Sequence, residues 1–252
     1  MIEARQVTKT FGKLKALNSV SISCAKGETV SLIGPNGSGK TTFIKCLLGM
    51  VLPDSGTITF NNTDISRNWD YRKDIGYMPQ IGRYPDNMTI GQIFYMMLDL
   101  RKKKLSDTDT ELVQAFGLEG MLKKRMRTLS GGTRQKVSAS LAFLFHPQVL
   151  ILDEPTAGLD PLSSEILKEK IRKEKEQGKL VLITSHILSD LDDLVTQVIY
   201  LQDGNLLFHK HLDQLRQDTG EVKLSRAIAA VMKSQRITNE EDELTNEKGL
   251  IR

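Results

Sequence analysis

The chain of 252 residues is long enough to bury a core as one large domain or as a core with a subdomain. Its 39% hydrophobic and 26% charged content is that of a soluble protein, and a net charge of +4 asks for no nucleic-acid partner. Cys24 and Cys46 show no C-x-x-C spacing and read as reduced, structural residues of a cytosolic protein; Met1–Arg5 lacks a signal-peptide layout, and runs such as Leu141–Phe145 fall far short of the ~18 residues a membrane span needs.

Ile2, Ala4 and Val7 open a short strand that Lys9-Thr10-Phe11-Gly12 closes. Val20 and Ile22 alternate with Ser21 and Ser23 at strand spacing. Thr29–Ile33 reads as a buried strand, followed by Gly34-Pro35-Asn36-Gly37-Ser38-Gly39-Lys40-Thr41, a match to G-x-x-x-x-G-K-[ST]. Glycines there open backbone dihedrals closed to other residues, so successive N–H groups can curl around one anion. Lys40 supplies a mobile charge for outer phosphates, and the Thr41 hydroxyl can reach a bridging Mg²⁺. The helix predicted from Thr42 to Leu48 adds its positive dipole end.

Thr57–Phe60 is a further strand, and Ile75–Gln80 one that stops at Pro79. From about Ile90 to His146 the pattern is helical: Ile93, Phe94, Met97 and Leu98 share one face, and Leu112, Val113 and Phe116 mark a second helix. A third starts at Ser130, which can cap it; Val137, Leu141, Leu144 and Phe145 form its buried face. Gly131 and Gly132 in its first turn are locally unfavourable, which a close backbone approach to an anion would justify.

Val149–Leu152 is a four-residue apolar run without alternation, as a central parallel strand requires, and it ends in Asp153 and Glu154. Carboxylates at that end of an open α/β sheet sit where ligands bind. Asp153 is placed to hold Mg²⁺ and Glu154 to polarise an attacking water; Gln80 can span metal and water, and His186 can reach a terminal phosphate. Leu162 to Ile171 forms a covering helix, Leu180–Thr184 another buried strand, and Val198–Phe208 a hairpin around Asp203-Gly204. His209-Lys210-His211 reads as a solvated hairpin end, Val222–Lys233 as a helix, and Gln235–Arg252 as a frayed tail.

Together these motifs resemble the nucleotide-binding subunit of ATP-binding-cassette (ABC) transporters. Gly34–Thr41 is similar to the Walker A loop, Leu129-Ser130-Gly131-Gly132-Thr133-Arg134-Gln135 to the family signature, Val149–Glu154 to Walker B and Ala157-Gly158-Leu159-Asp160 to the D-loop. Gln80 matches the Q-loop, His186 the switch histidine and Phe11 the aromatic that stacks on adenine. The match covers about residues 1–215, with a helical subdomain at about 82–147 and a C-terminal helix and polar tail over 216–252. The resemblance implies an α/β P-loop (RecA-like) core with a mixed sheet and an N-terminal antiparallel part. It implies ATP and Mg²⁺ as cofactors, with Thr42 joining the loop in nucleotide binding. It implies a head-to-tail homodimer in which Ser130, Gly131, Gly132 and Asp160 of one copy meet the nucleotide held by the other. A separate integral membrane permease would insert a helix near Gln80–Met97 and hold the chain on the inner face of the membrane.

Thr133 stands where the signature usually has Gln, and Phe11 lacks the hydroxyl of the usual Tyr. Lys124–Thr128 and Thr133–Lys136 resemble the export branch. Tyr77–Gln80 with Tyr84–Thr89 is similar to cassettes that support nitrous-oxide-reductase (copper-site) maturation. The alternative class is a soluble cassette ATPase acting on ribosomes or nucleic acid. Its translation-factor type carries two cassettes, and its DNA-end type a long coiled coil that the 40–130 interval lacks.

Overall fold

The computed structural model describes residues 1–185 and 192–233. His186 and the tail from 234 onward lie outside the described residues. Four strands form an antiparallel sheet in the order β2 (Leu14–Cys24), β1 (Ile2–Phe11), β4 (Ser55–Phe60), β5 (Thr63–Asp64). β1 and β2 are longer than their alternation predicts. Register shifts interrupt their pairing, and Gln6 and Ser19 adopt positive φ, so bulges break the period-two pattern within continuous strands.

The second sheet has six strands in the order β10 (Asn205–His211), β9 (Gln197–Gln202), β3 (Thr29–Ile33), β8 (Leu180–Thr184), β7 (Val149–Asp153), β6 (Ile75–Met78). All neighbours are parallel except the β9–β10 hairpin. Both faces are covered, which is why these strands read as unbroken apolar runs. Val149 and Ile151 of β7 join a cluster with β1, β2 and helix α1 (Lys40–Leu47). Leu150 and Leu152 join the other cluster, with α2 (Ile90–Arg101), α3 (Glu111–Ala115), α4 (Gly131–Phe143) and α5 (Pro161–Glu176). α2, α3 and α4 lie in sequence between β6 and β7. α6 (Leu212–Thr219) and a final helix over 224–233 add Leu212, Leu215, Leu224 and Ile228 to that second cluster.

β10 corrects one expectation. His209 is no solvated end: it lies half-buried in the strand, its Nε2 2.5 Å from Gln197 Oε1, and burial pushes its ring below the usual histidine range.

α3 and α5 are joined by a charged cluster whose contacts across the two elements no local pattern announces. Lys170 Nζ, on a side chain only 5% exposed, meets Asp109 Oδ2 at 2.5 Å, Glu111 Oε2 at 2.8 Å and Glu174 Oε1 at 2.8 Å. Burial works against the ammonium, but the three carboxylates hold it above the ordinary lysine range. Its contribution is therefore fully present at neutral pH and is lost only in strong alkali, as pH rises through that raised value. Lys170→Ala leaves Asp109 and Glu174 without their shared cation. It is expected to cost about 3–5 kcal/mol in urea unfolding. A loss below about 1 kcal/mol, the range of exposed pairs, would contradict this.

Candidate functional site

The site forms where the carboxyl ends of β3, β6, β7 and β8 meet, the usual crevice of an open α/β sheet. From β3 the chain enters the loop 34–39 and then α1. Gly34 has φ 147°, and a Cβ there would stand 2.0 Å from the Leu201 carbonyl oxygen. Any side chain at this position would push the loop off the sheet, so glycine is required by close approach as well as by dihedral. Lys40 Nζ folds back over the loop, donating to Gly34 O at 2.7 Å and Pro35 O at 3.0 Å. Burial pushes its ammonium below the ordinary lysine range, while Glu154 and Asp153 oppose that shift. The Ser38 hydroxyl is enclosed in the loop with no partner among the described residues.

A cleft of about 260 Å³ opens over this loop. Its lining brings together Asn36, Gly37, Ser38, Gly39, Lys40, Thr41 and Thr42 from the loop and α1. Phe11, Leu14 and Ala16 come from the antiparallel sheet, Gln80 from beyond β6, and Asp153 and Glu154 from the end of β7. Phe11 is 48% exposed at the rim, with Lys9 Nζ 5.4 Å from its ring centre. Thus Phe11, the loop, Gln80, Asp153 and Glu154, far apart in sequence, share one cavity.

Thr184, at the end of β8, organises the carboxylate side. Its Oγ1 donates to Asp153 Oδ1 at 2.5 Å and accepts from the Glu154 N–H at 3.1 Å. The same N–H also reaches Thr184 O at 3.2 Å. No sequence motif points to this role; its signal is one polar residue closing the buried run Leu180–Ile183.

The signature segment does not line the cleft. Ser130 caps α4, accepting from Thr133 N–H at 3.3 Å, and its Oγ lies 2.9 Å from Thr133 Oγ1. Gly131 has open space around it, while a Cβ at Gly132 would stand 2.8 Å from Gly158 O. Asp160 also lies outside the cleft: it caps α5, accepting from Ser163 N–H at 2.9 Å and Ser163 Oγ at 2.7 Å, with Lys136 Nζ 2.9 Å away. The Lys136 contact, then the Ser163 N–H, hold its carboxyl well below the usual carboxylate range.

The sheet order, the loop between β3 and α1 and the paired carboxylates ending β7 define a P-loop nucleoside-triphosphatase fold. Residues 17–157 match the family described as "ABC transporter", and the chain belongs to that family as an ATP-binding subunit. The chain is 33% identical over 218 residues to a lantibiotic transport ATP-binding protein, SrtF, of Streptococcus pyogenes, covering 84% of this chain and 92% of that protein. It is 32% identical over 210 residues to a Nod factor export ATP-binding protein I of Rhizobium sp. (strain N33), covering 82% of this chain and 69% of that protein. Among solved structures, the ATP-binding subunit of an ABC transporter superposes with TM-score 0.86 at 27% identity, covering 92% of this chain and 99% of that one. A dimeric cassette, MJ0796, in a post-hydrolysis state bound to ADP and Pi superposes with TM-score 0.74 at 25% identity, covering 84% and 99%.

Proposed function

We propose that this chain binds ATP with Mg²⁺ in the loop cleft and hydrolyses it as the engine of an ABC transporter, working as a twofold homodimer beneath a separate membrane-spanning permease. The observation that carries the reading is Lys40: its ammonium is held on the loop's own carbonyls at the floor of a cleft that Asp153 and Glu154 also line. The fit to a magnesium triphosphate rests on the donors. The Thr41 hydroxyl, the Asp153 carboxylate and the Gln80 amide are hard oxygen groups, and Mg²⁺ takes one or two carboxylates beside phosphate and water. Bound there, Mg²⁺ supplies charge neutralisation for the phosphates.

Each residue then has a task. Lys40 and the loop N–H groups of Gly34–Thr42 orient the phosphates. Glu154 would hold and polarise the attacking water and Gln80 would contact metal and water; His186, outside the described residues, is assigned to the terminal phosphate by the sequence resemblance alone. Phe11 stacks on adenine. Ser130, Gly131, Gly132 and Asp160, remote from their own cleft, act on the nucleotide of the second copy. Such a self-complementary interface gives a two-state element, closed with ATP and open after hydrolysis.

The permease would dock beside the cleft. A groove of about 290 Å³ runs past Pro79, Arg83, Tyr84, Met97, Arg101 and Phe145, with Ile81 exposed beyond it. Its lining is apolar and aromatic with Lys73, Arg83 and Arg101 among it, which suits a helix that carries an apolar face and an acidic group from a membrane partner. No helix among the described residues is long and apolar enough to cross a membrane. The proposed permease would hold the chain at the inner face. The names of its relatives favour export. The narrower candidate, support of nitrous-oxide-reductase copper-site maturation, rests on the 77–89 resemblance. It needs no metal cluster in the cassette itself.

Phosphate release from MgATP tests the shared-site reading. Specific activity should rise steeply with chain concentration until dimerisation saturates. A specific activity independent of dilution from the lowest measurable concentration upward would mean that a single copy suffices.

A further inference from the structure

Glu154 is a non-glycine residue in the left-handed region, with φ 53°. A backbone of this kind is strained and persists only where its surroundings over-determine it. Its N–H is held by Thr184 on β8, as described above. Its carbonyl accepts from Ala157 N–H at 3.1 Å and from Gln135 Nε2 at 3.3 Å. Ala157 is a neighbour within the same turn. Gln135 comes from α4, five positions beyond its cap Ser130, and is 6% exposed. Burying an amide is costly unless it is hydrogen-bonded, so its placement on this carbonyl is specific.

Two more contacts key the start of α4 to the same stretch. Gly132 packs on the Gly158 carbonyl, and Lys136 pairs with Asp160. The helix that begins at Ser130 is therefore registered against residues 154–160 at three successive points. The hydrogen bond from Gln135 is the one that reaches the residue bearing the carboxylate.

We propose that Gln135 is a positioning residue for Glu154: through the backbone carbonyl it fixes where the carboxylate points, and it ties that direction to the Ser130–Gly132 corner of the same chain. This inference rests on the hydrolytic reading given above.

The test is Gln135→Met, which keeps the length and removes the donor. Steady-state kcat should fall about tenfold or more while the KM for ATP stays within about twofold, the pattern of an interaction that matters only in the transition state. In a Glu154→Gln background, single-turnover hydrolysis should fall no further, because the group that Gln135 positions is already gone. A loss of the same size in both backgrounds, or a kcat within about twofold of the parent, would overturn the proposal. Should Gln135→Met fail to fold, Gln135→Leu serves instead, since it also lacks the amide donor and brings no charge into the buried position. A parent protein that binds ATP but releases no phosphate would sink the hydrolytic reading first, an outcome distinct from an unaffected Gln135 variant.

Discussion

Glu154→Gln is expected to lower steady-state phosphate release by about 10²–10⁴-fold, the range for a positioned general base, with ATP affinity nearly unchanged. The substitution is close to isosteric. Glu154 is buried, and its backbone is fixed on one side by Thr184 and on the other by Ala157 and Gln135, so the amide should take the carboxylate's place without disturbing the loop. What it removes is the ability to accept a proton from water. Because Lys40 and the loop N–H groups are untouched, binding energy from the phosphates remains, and the chain should accumulate with ATP in place. A variant that turns over ATP at the parent rate would reject Glu154 as the base. A variant that no longer binds ATP would instead place the carboxylate among the binding groups.

Lys40→Ala is expected to act on binding. Its ammonium makes two hydrogen bonds to the loop's own carbonyls, and these keep a positive charge where the phosphates would arrive. A charge-assisted hydrogen bond contributes about 1.5–3 kcal/mol. Its loss therefore corresponds to a Kd for MgATP weaker by about ten- to 150-fold. Folding should survive, because the freed carbonyls of Gly34 and Pro35 can turn to water at the cleft. Lys40→Arg should also weaken binding, since a planar fork cannot follow the loop as a compact ammonium does. Isothermal titration with MgATP decides the matter; a Kd within about twofold of the parent would remove Lys40 from the phosphate site.

Sequence alone reached the parts of this site that are written as contiguous strings. Gly34–Thr41 and Val149–Glu154 are legible because glycine dihedrals, a helix start and an apolar strand are local properties. Ser130 as a cap was legible for the same reason, and so was the β9–β10 turn at Asp203-Gly204. Interactions closed by tertiary distance were not. Lys170 looks like one of several lysines on a charged helix, yet its partners Asp109 and Glu111 lie at and just before the start of α3. Gln135 reads as one more polar residue of α4 until its amide is found on the Glu154 carbonyl. His209 reads as an exposed hairpin residue in the sequence because Gln197, its partner, sits across the strand pair. The full length of the bulged β1 and β2 is hidden from the alternation because a shift of one residue erases it without ending the strand.

Within the chain, the phosphate loop, the carboxylates and Phe11 share one cleft, while Ser130, Gly131, Gly132 and Asp160 stand apart from it. The account holds that a second copy brings those remote groups to the nucleotide. The most direct measurement is small-angle scattering of the Glu154→Gln chain with and without MgATP, with bound nucleotide counted per chain. The account predicts a particle of doubled mass that appears only with MgATP and carries one nucleotide per chain. Full nucleotide occupancy in a particle that stays a single copy would contradict it.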